Sequence, residues 1–172
     1  MSFTNSQLFN DALPKIDDVI LKPISKQYIK IILVNKFVMY ALFFGILIVG
    51  KYVINKVVFQ EYFWHLFFVT LVFCVLNFSI AILSFKKRKY AIREQDVIYA
   101  QGLLVNSITT VPISRIQHIE ESRSWIARKF NLATLNIFTA GESGSDLSIK
   151  GLPHEEARQI NDFLSAKVNG NS

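Results

Sequence analysis

The chain has 172 residues, 51% of them hydrophobic, with a formal net charge of +6 and a mean hydropathy of +0.32. That length leaves room for one modest domain beside a membrane segment, and a single cysteine, Cys74, excludes an internal disulfide and a multi-thiolate zinc site. Met1 to Lys89 holds 11 Lys/Arg against 4 Asp/Glu, while Tyr90 to Ser172 holds 8 against 9. The positive excess therefore sits where it orients membrane helices, and no nucleic-acid partner is expected.

Met1 to Lys30 is mixed and mildly polar, with Pro14 and Pro23. It lacks the basic start, early apolar core and small-residue cleavage site of a secretory signal, so none is expected. Ile16 to Leu21 fits a short strand or an interfacial piece equally well. Lys22, Lys26, Lys30 and Lys36 then recur as the chain nears the bilayer, and helical structure is expected to begin within Ile29 to Val34.

Phe37 to Gly50 is unbroken and apolar. Extended from about Leu33 to Ile54, it is long enough to span a bilayer, with Lys36 and Lys51 placed to snorkel. Tyr62 to Phe85 is a second uncharged run. As a helix rising ~1.5 Å per residue it reaches roughly 36 Å, enough to cross a hydrocarbon core of about 30 Å with tilt. A buried helix of a soluble core is the alternative for the first run, weakened by the second run that follows so soon. The expected connection is Asn55 to Glu61.

The cluster Lys86, Lys87, Arg88 and Lys89 closes the hairpin. Together with the lysines before the first helix it outweighs Lys51 and Lys56 at the turn, which puts both termini in the cytoplasm. Trp64 and Tyr62 suit the outer aromatic belt, and His65 lies near that end. Asn77 is deeper, and a lone amide there reads as a helix–helix contact more readily than as part of an ion path.

After Lys89 the texture becomes β-rich. Tyr90 to Arg93 and Val97 to Gln101 flank a turn at Glu94-Gln95-Asp96, Gly102 marks the next turn, and strands are expected at Leu103 to Val111 and Ile113 to Glu121. Ser122 to Phe130 reads as a short helix with Trp125, Ile126 and Phe130 on its apolar side. Leu135 to Thr139 and Leu147 to Lys150 flank a Gly/Ser-rich hairpin loop at Ala140 to Asp146. Gly151-Leu152-Pro153 is expected to stop the sheet and start a helix. Ala157, Ile160, Leu164 and Val168 form that helix's apolar stripe, with Glu155 and Glu156 at its start and Lys167 near its end.

The order and spacing of Tyr90-Ala91-Ile92, Gly102-Leu103-Leu104, Val111 to Gln117, Arg128 to Leu132 and Leu135 to Gly141 carry a resemblance. Behind a two-helix hairpin and a basic exit, they are similar to the bacterial membrane-anchored pleckstrin-homology-like (bPH2, YdbS-like) family. The chain is then an α+β membrane protein: an N-terminal segment (1–32), a transmembrane hairpin (33–85, with helices near 33–54 and 62–85), and a PH-like domain (86–172). The domain is expected to be a small, partly open β-barrel with an amphipathic C-terminal helix. The resemblance implies residence in the bacterial inner membrane. It also implies self-association or pairing with a larger PH-like membrane paralogue, and it supplies no catalytic residues.

Three classes of function compete for this sequence. His65, His118 and His154 fall in unrelated places and no catalytic or phosphate-loop motif is present, so no enzyme activity, metal, cofactor or small-molecule substrate is expected. A metal site at His118, Glu120 and Glu121 is disfavoured because neighbouring strand residues face opposite ways. For lipid headgroups, Arg115, Arg123, Arg128 and Lys129 are the only basic cluster in the soluble half. Contact with the bilayer surface through Trp125, Arg128 and Lys129 competes with a reading in which Trp125 and Phe130 pack under the sheet. Protein interaction is favoured: Leu103 to Val111 carries no charge to discourage edge pairing. Service as an accessory subunit of an envelope export or stress system is a further alternative.

Overall fold

A computed structural model describes residues 19–54, 56–103, 105–140 and 147–170. Strand β1 (Lys22–Pro23) precedes two long helices, α1 (Tyr28–Val53) and α2 (Val57–Lys86). The β-rich part follows as β2 (Lys89–Ile92), β3 (Asp96–Gln101), β4 (Ser107–Pro112), a 3-10 turn at Ile113–Arg115, and β5 (Ile116–Ser122). It continues through α3 (Trp125–Lys129), β6 (Leu132–Thr139) and β7 (Leu147–Pro153) to the terminal helix α4 (His154–Asn169). Residues 16–18 of the ambiguous N-terminal stretch and 141–146 of the expected hairpin loop lie outside the described residues.

The hairpin helices leave their apolar flanks uncovered. Phe37 and Ile46 on α1 are 67% and 72% exposed, and Val69 and Phe73 on α2 are 66% and 60% exposed. A buried core helix would hide such side chains, whereas a bilayer solvates them. Their most apolar stretches have mean hydropathy 2.3 and 2.6. Between the helices, Phe44 packs on Phe67 and Tyr40 on Phe78.

Both helices run further than hydropathy alone suggests. The first starts at Tyr28, whose N–H bonds to the Ser25 carbonyl at 3.0 Å. The second starts at Val57, so the turn is shorter than Asn55 to Glu61. Gln60 explains how so tight a turn closes: its Nε2 donates to the carbonyls of Lys51 (2.5 Å) and Ile54 (3.0 Å). These are end-of-helix carbonyls that α1 itself leaves unpaired.

Two antiparallel sheets make the PH-like barrel, ordered β1-β2-β3-β4 and β5-β6-β7. The Ile113–Arg115 turn carries the chain from one sheet to the other. Val97, Tyr99, Leu135, Ile137, Ile149 and Leu152 fill the space between them, and Ala157, Ile160 and Leu164 of α4 close it. The β2–β3 turn falls where expected, locked by Arg93 Nε to Asp96 Oδ1 at 2.6 Å. The next strand begins at Ser107 rather than Leu103 and runs to Pro112, after Gly102 at φ +112.

The largest departure from expectation is at the N-terminus. Lys22 pairs with Tyr90 and Pro23 with Lys89, so β1 is the outer strand of the first sheet, and Ile24 is buried in the main core. The hairpin is thus inserted into the PH-like fold rather than preceding it. The sheet also does not stop at Gly151. Strand β7 reaches Pro153 across a bulge in which Thr134 faces Lys150 and Ala133 faces Leu152. Gly151 occupies that bulge at φ +82, and a Cβ there would lie 2.5 Å from Tyr28 Cγ. Its carbonyl accepts the Ser25 N–H at 3.0 Å. One glycine therefore seats the root of the first membrane helix on the domain.

Gly151→Ala should lower stability by about 2–4 kcal/mol, from positive-φ strain plus displacement of Tyr28. Thermal unfolding in mild detergent should show a depressed midpoint. Gly45→Ala, where an added Cβ meets nothing within 4 Å, should leave it unchanged.

Candidate functional site at the membrane interface

Polar chemistry collects where the hairpin leaves the domain. Glu156 on α4 joins three elements there: it accepts from Lys22 Nζ at 2.6 Å and from the Tyr90 hydroxyl. Tyr90 is 3% exposed. Burial, then the hydrogen bond to the Glu156 carboxylate, raises its phenol well above the ordinary value of 10.0. Tyr99, on the neighbouring strand, is also raised, chiefly by burial.

Helix α3 docks on the first turns of α1. Ile31, Ala127 and Leu132 form a small core with Tyr28, Ile126 and Phe130 around it. Ser124 caps α3 by accepting the Ala127 N–H at 3.2 Å. Lys30 Nζ lies 5.8 Å from the Phe130 ring centre. Phe130 thus packs inward, but Trp125 is 62% exposed with Lys129 Nζ 5.1 Å from its ring centre. Arg128 is exposed beside them.

The four-residue basic expectation for the soluble half separates in space. Arg115 lies before β5 and α3 lies after it, roughly 20 Å apart at ~3.3 Å per strand residue. Arg123 is spent on the turn after α3, donating to Leu132 O at 3.3 Å and Asn131 Oδ1 at 3.2 Å. That bond steadies Asn131 at φ 51. Arg128, Lys129 and Trp125 remain together on one short helix.

The Lys86–Lys89 cluster straddles two elements. Lys86 ends α2, Lys89 opens β2, and Lys86, Lys87 and Lys89 are exposed. Arg88 differs. It is half-buried, its guanidinium carbon lies 5.9 Å from the Tyr28 ring centre, and its buried Nε has no hydrogen-bond partner among the described residues. Asn77 accepts a hydrogen bond from Lys36 Nζ across the hairpin. Lys36 lies about two turns inside α1, not at its end as the sequence suggested.

Among the described residues no three His, Cys, Asp or Glu side chains gather as for a metal. Glu121 is paired with His154 Nδ1 at 2.8 Å rather than with His118, whose ring lies against Phe138. The links Lys22–Glu156 and His154–Glu121 escape sequence reading because each joins residues remote in the chain. Lys36 does carry a signal, as a cation beside an apolar run.

A membrane hairpin threaded through a PH-like barrel defines a membrane-anchored PH-domain protein. The family model for the bacterial PH domain matches residues 32–168, and the chain belongs to that family. It is 33% identical over 88 residues to the UPF0699 transmembrane protein YdbS of Bacillus subtilis (strain 168), a match covering 51% of this chain and 54% of that one. The matched segment thus spans about half the length of that relative. No solved structure matches significantly.

Tyr90 gives a pH test. A phenol whose folded pKa is raised contributes stability that is complete below its unfolded pKa and is lost as pH climbs above it. Stability in detergent should therefore fall as pH rises beyond about 10, and Tyr90→Phe should flatten that fall while costing about 1 kcal/mol at pH 8. Alkaline unfolding followed by circular dichroism reads both.

Proposed function

We propose that the protein is a non-catalytic scaffold whose PH-like domain sits under the cytoplasmic membrane and assembles with a second copy or a related PH-like membrane protein. The observation that carries this is the β4 edge. Among the described residues strand β4 pairs only with β3, and none of them covers its outer side. No charged residue occurs from Gly102 to Ser114, and Ser107, Ile108 and Thr110 are exposed. Edge strands that must stay single are normally protected by charge, proline or bulges; of these, β4 has only Pro112, at its end. Addition of a partner strand would satisfy its unpaired backbone groups.

Cytoplasmic placement is supported by charge. Lys22, Lys26, Lys30 and Lys86 to Lys89 flank the hairpin's open end, against Lys51, Lys56 and Glu61 at its turn. Pairing of β1 with β2 holds both open-end flanks in one sheet, which supports a common side for them. In purified full-length protein in nanodiscs or mild detergent, crosslinking should trap dimers, and Ile108→Lys with Thr110→Lys should reduce them several-fold. A protein that is monomeric throughout and captures no PH-like membrane partner would sink the proposal.

A second reading follows from α3. We infer that Trp125, Arg128 and Lys129 contact the bilayer surface, a reading supported by the docking of α3 on the first turns of α1. In a Trp64→Phe background, Trp125 emission should shift to the blue when the protein passes from neutral to anionic vesicles. Arg128→Ala with Lys129→Ala should remove most of that shift. Equal emission in both vesicle types would exclude the contact.

A further inference from the structure

Between the base of the hairpin and the domain lies a cavity of about 310 Å³, within the range of small-ligand sites. Its polar wall is made by Lys36, Asn77, Ser84, Arg88 and Lys150. Its apolar wall is made by Ile32, Ile80 and Ala81, with Tyr28 at the floor. The cavity therefore runs from the domain surface up along the membrane helices, at the level of the leaflet nearest the domain. Lys36 stands roughly 12 Å above Tyr28 at ~1.5 Å per residue.

Three cations line this space and, among the described residues, no carboxylate does. None of the three has an acidic partner among the described residues. Lys36 is held by the neutral Asn77 amide, and Lys150 is exposed at the mouth. The buried Arg88 Nε stands without a hydrogen-bond partner, an unusual state for a guanidinium whose donors suit a phosphate fork. Cations at membrane depth are costly without a counter-charge. Arg88 and Lys150 also wall an adjoining polar cavity of about 220 Å³, lined by Gln101, Thr109 and Ser148.

We propose that this site holds one anionic glycerophospholipid. The phosphate lies among Lys36, Arg88 and Lys150, an acyl chain runs along Ile32 and Ile80, and a hydroxylated headgroup extends toward Thr109 and Ser148. The apolar wall favours a lipid over free phosphate. The missing carboxylate disfavours zwitterionic headgroups, whose ammonium finds no partner. The site is separate from the exposed face of α3 and needs only the membrane hairpin, not the assembly proposed above.

The test is native mass spectrometry of full-length protein from micelles holding equal phosphatidylglycerol and phosphatidylcholine. One phosphatidylglycerol per chain should be retained in preference, and millimolar inorganic phosphate should not displace it. Lys150→Gln and Arg88→Gln should each weaken retention roughly ten-fold, whereas Arg128→Ala with Lys129→Ala should not. Lys150 is exposed and outside the core, so its variant decides the matter even where Arg88→Gln fails to fold. Equal retention of both lipids, displacement by phosphate, retention unchanged in Lys150→Gln, or loss in the α3 variant would each overturn the assignment.

Discussion

Two residue pairs, Lys22 with Tyr90 and Pro23 with Lys89, hold together segments separated by the whole membrane hairpin. The ladder is short, and a two-residue strand has little stability of its own. It persists because its neighbours are committed elsewhere: Ile24 enters the main core, Ser25 bonds to Gly151, and Lys22 reaches Glu156. These contacts fix where α1 begins and how it leaves the domain. The docking of α3, the position of Arg88 and the shape of the interfacial cavity all depend on that departure.

An inserted hairpin couples two folding environments. The helices satisfy their own backbone in lipid, and the barrel buries its core in water. Neither needs the other for secondary structure, so the junction must be specified by particular side chains. Tyr28 is the clearest of these. It lies over Gly151, beneath Arg88, and between the two hydrophobic cores. Insertion also removes slack: α2 ends at Lys86 and β2 begins at Lys89, leaving no linker over which the domain could swing.

The amino-acid pattern was most legible where one periodicity ran uninterrupted. The apolar runs of α1 and α2, the β2–β3 turn and the stripe of Ala157, Ile160 and Leu164 all follow from local spacing. β1 was not legible, because two residues ending in proline carry no strand signature and owe their conformation to Tyr90 and Lys89. Continuation of β7 past Gly151 was hidden for a related reason: glycine and proline usually punctuate, and here the glycine makes a bulge. At the interface, Trp125, Arg128 and Lys129 could be picked out by residue type, but their exposure depends on Ile126 and Ala127 facing α1. The guanidinium of Arg88 looked like one charge in a run of four until the fold half-buried it alone.

The distribution of cations follows from these constraints. Lysines at the ends of membrane helices ordinarily reach the headgroups and stay hydrated, as Lys86, Lys87 and Lys89 can. Lys36 faces the neighbouring helix, where Asn77 offers a neutral oxygen but no charge. Arg88 is held down by Tyr28 and by a backbone already engaged, its N–H with Phe85 O and its carbonyl with Ile24 N. Neither can withdraw into water without undoing the packing that defines the junction. A positive wall that the fold cannot retract, open to lipid along Ile32 and Ile80, places a standing demand for a negative group at that depth.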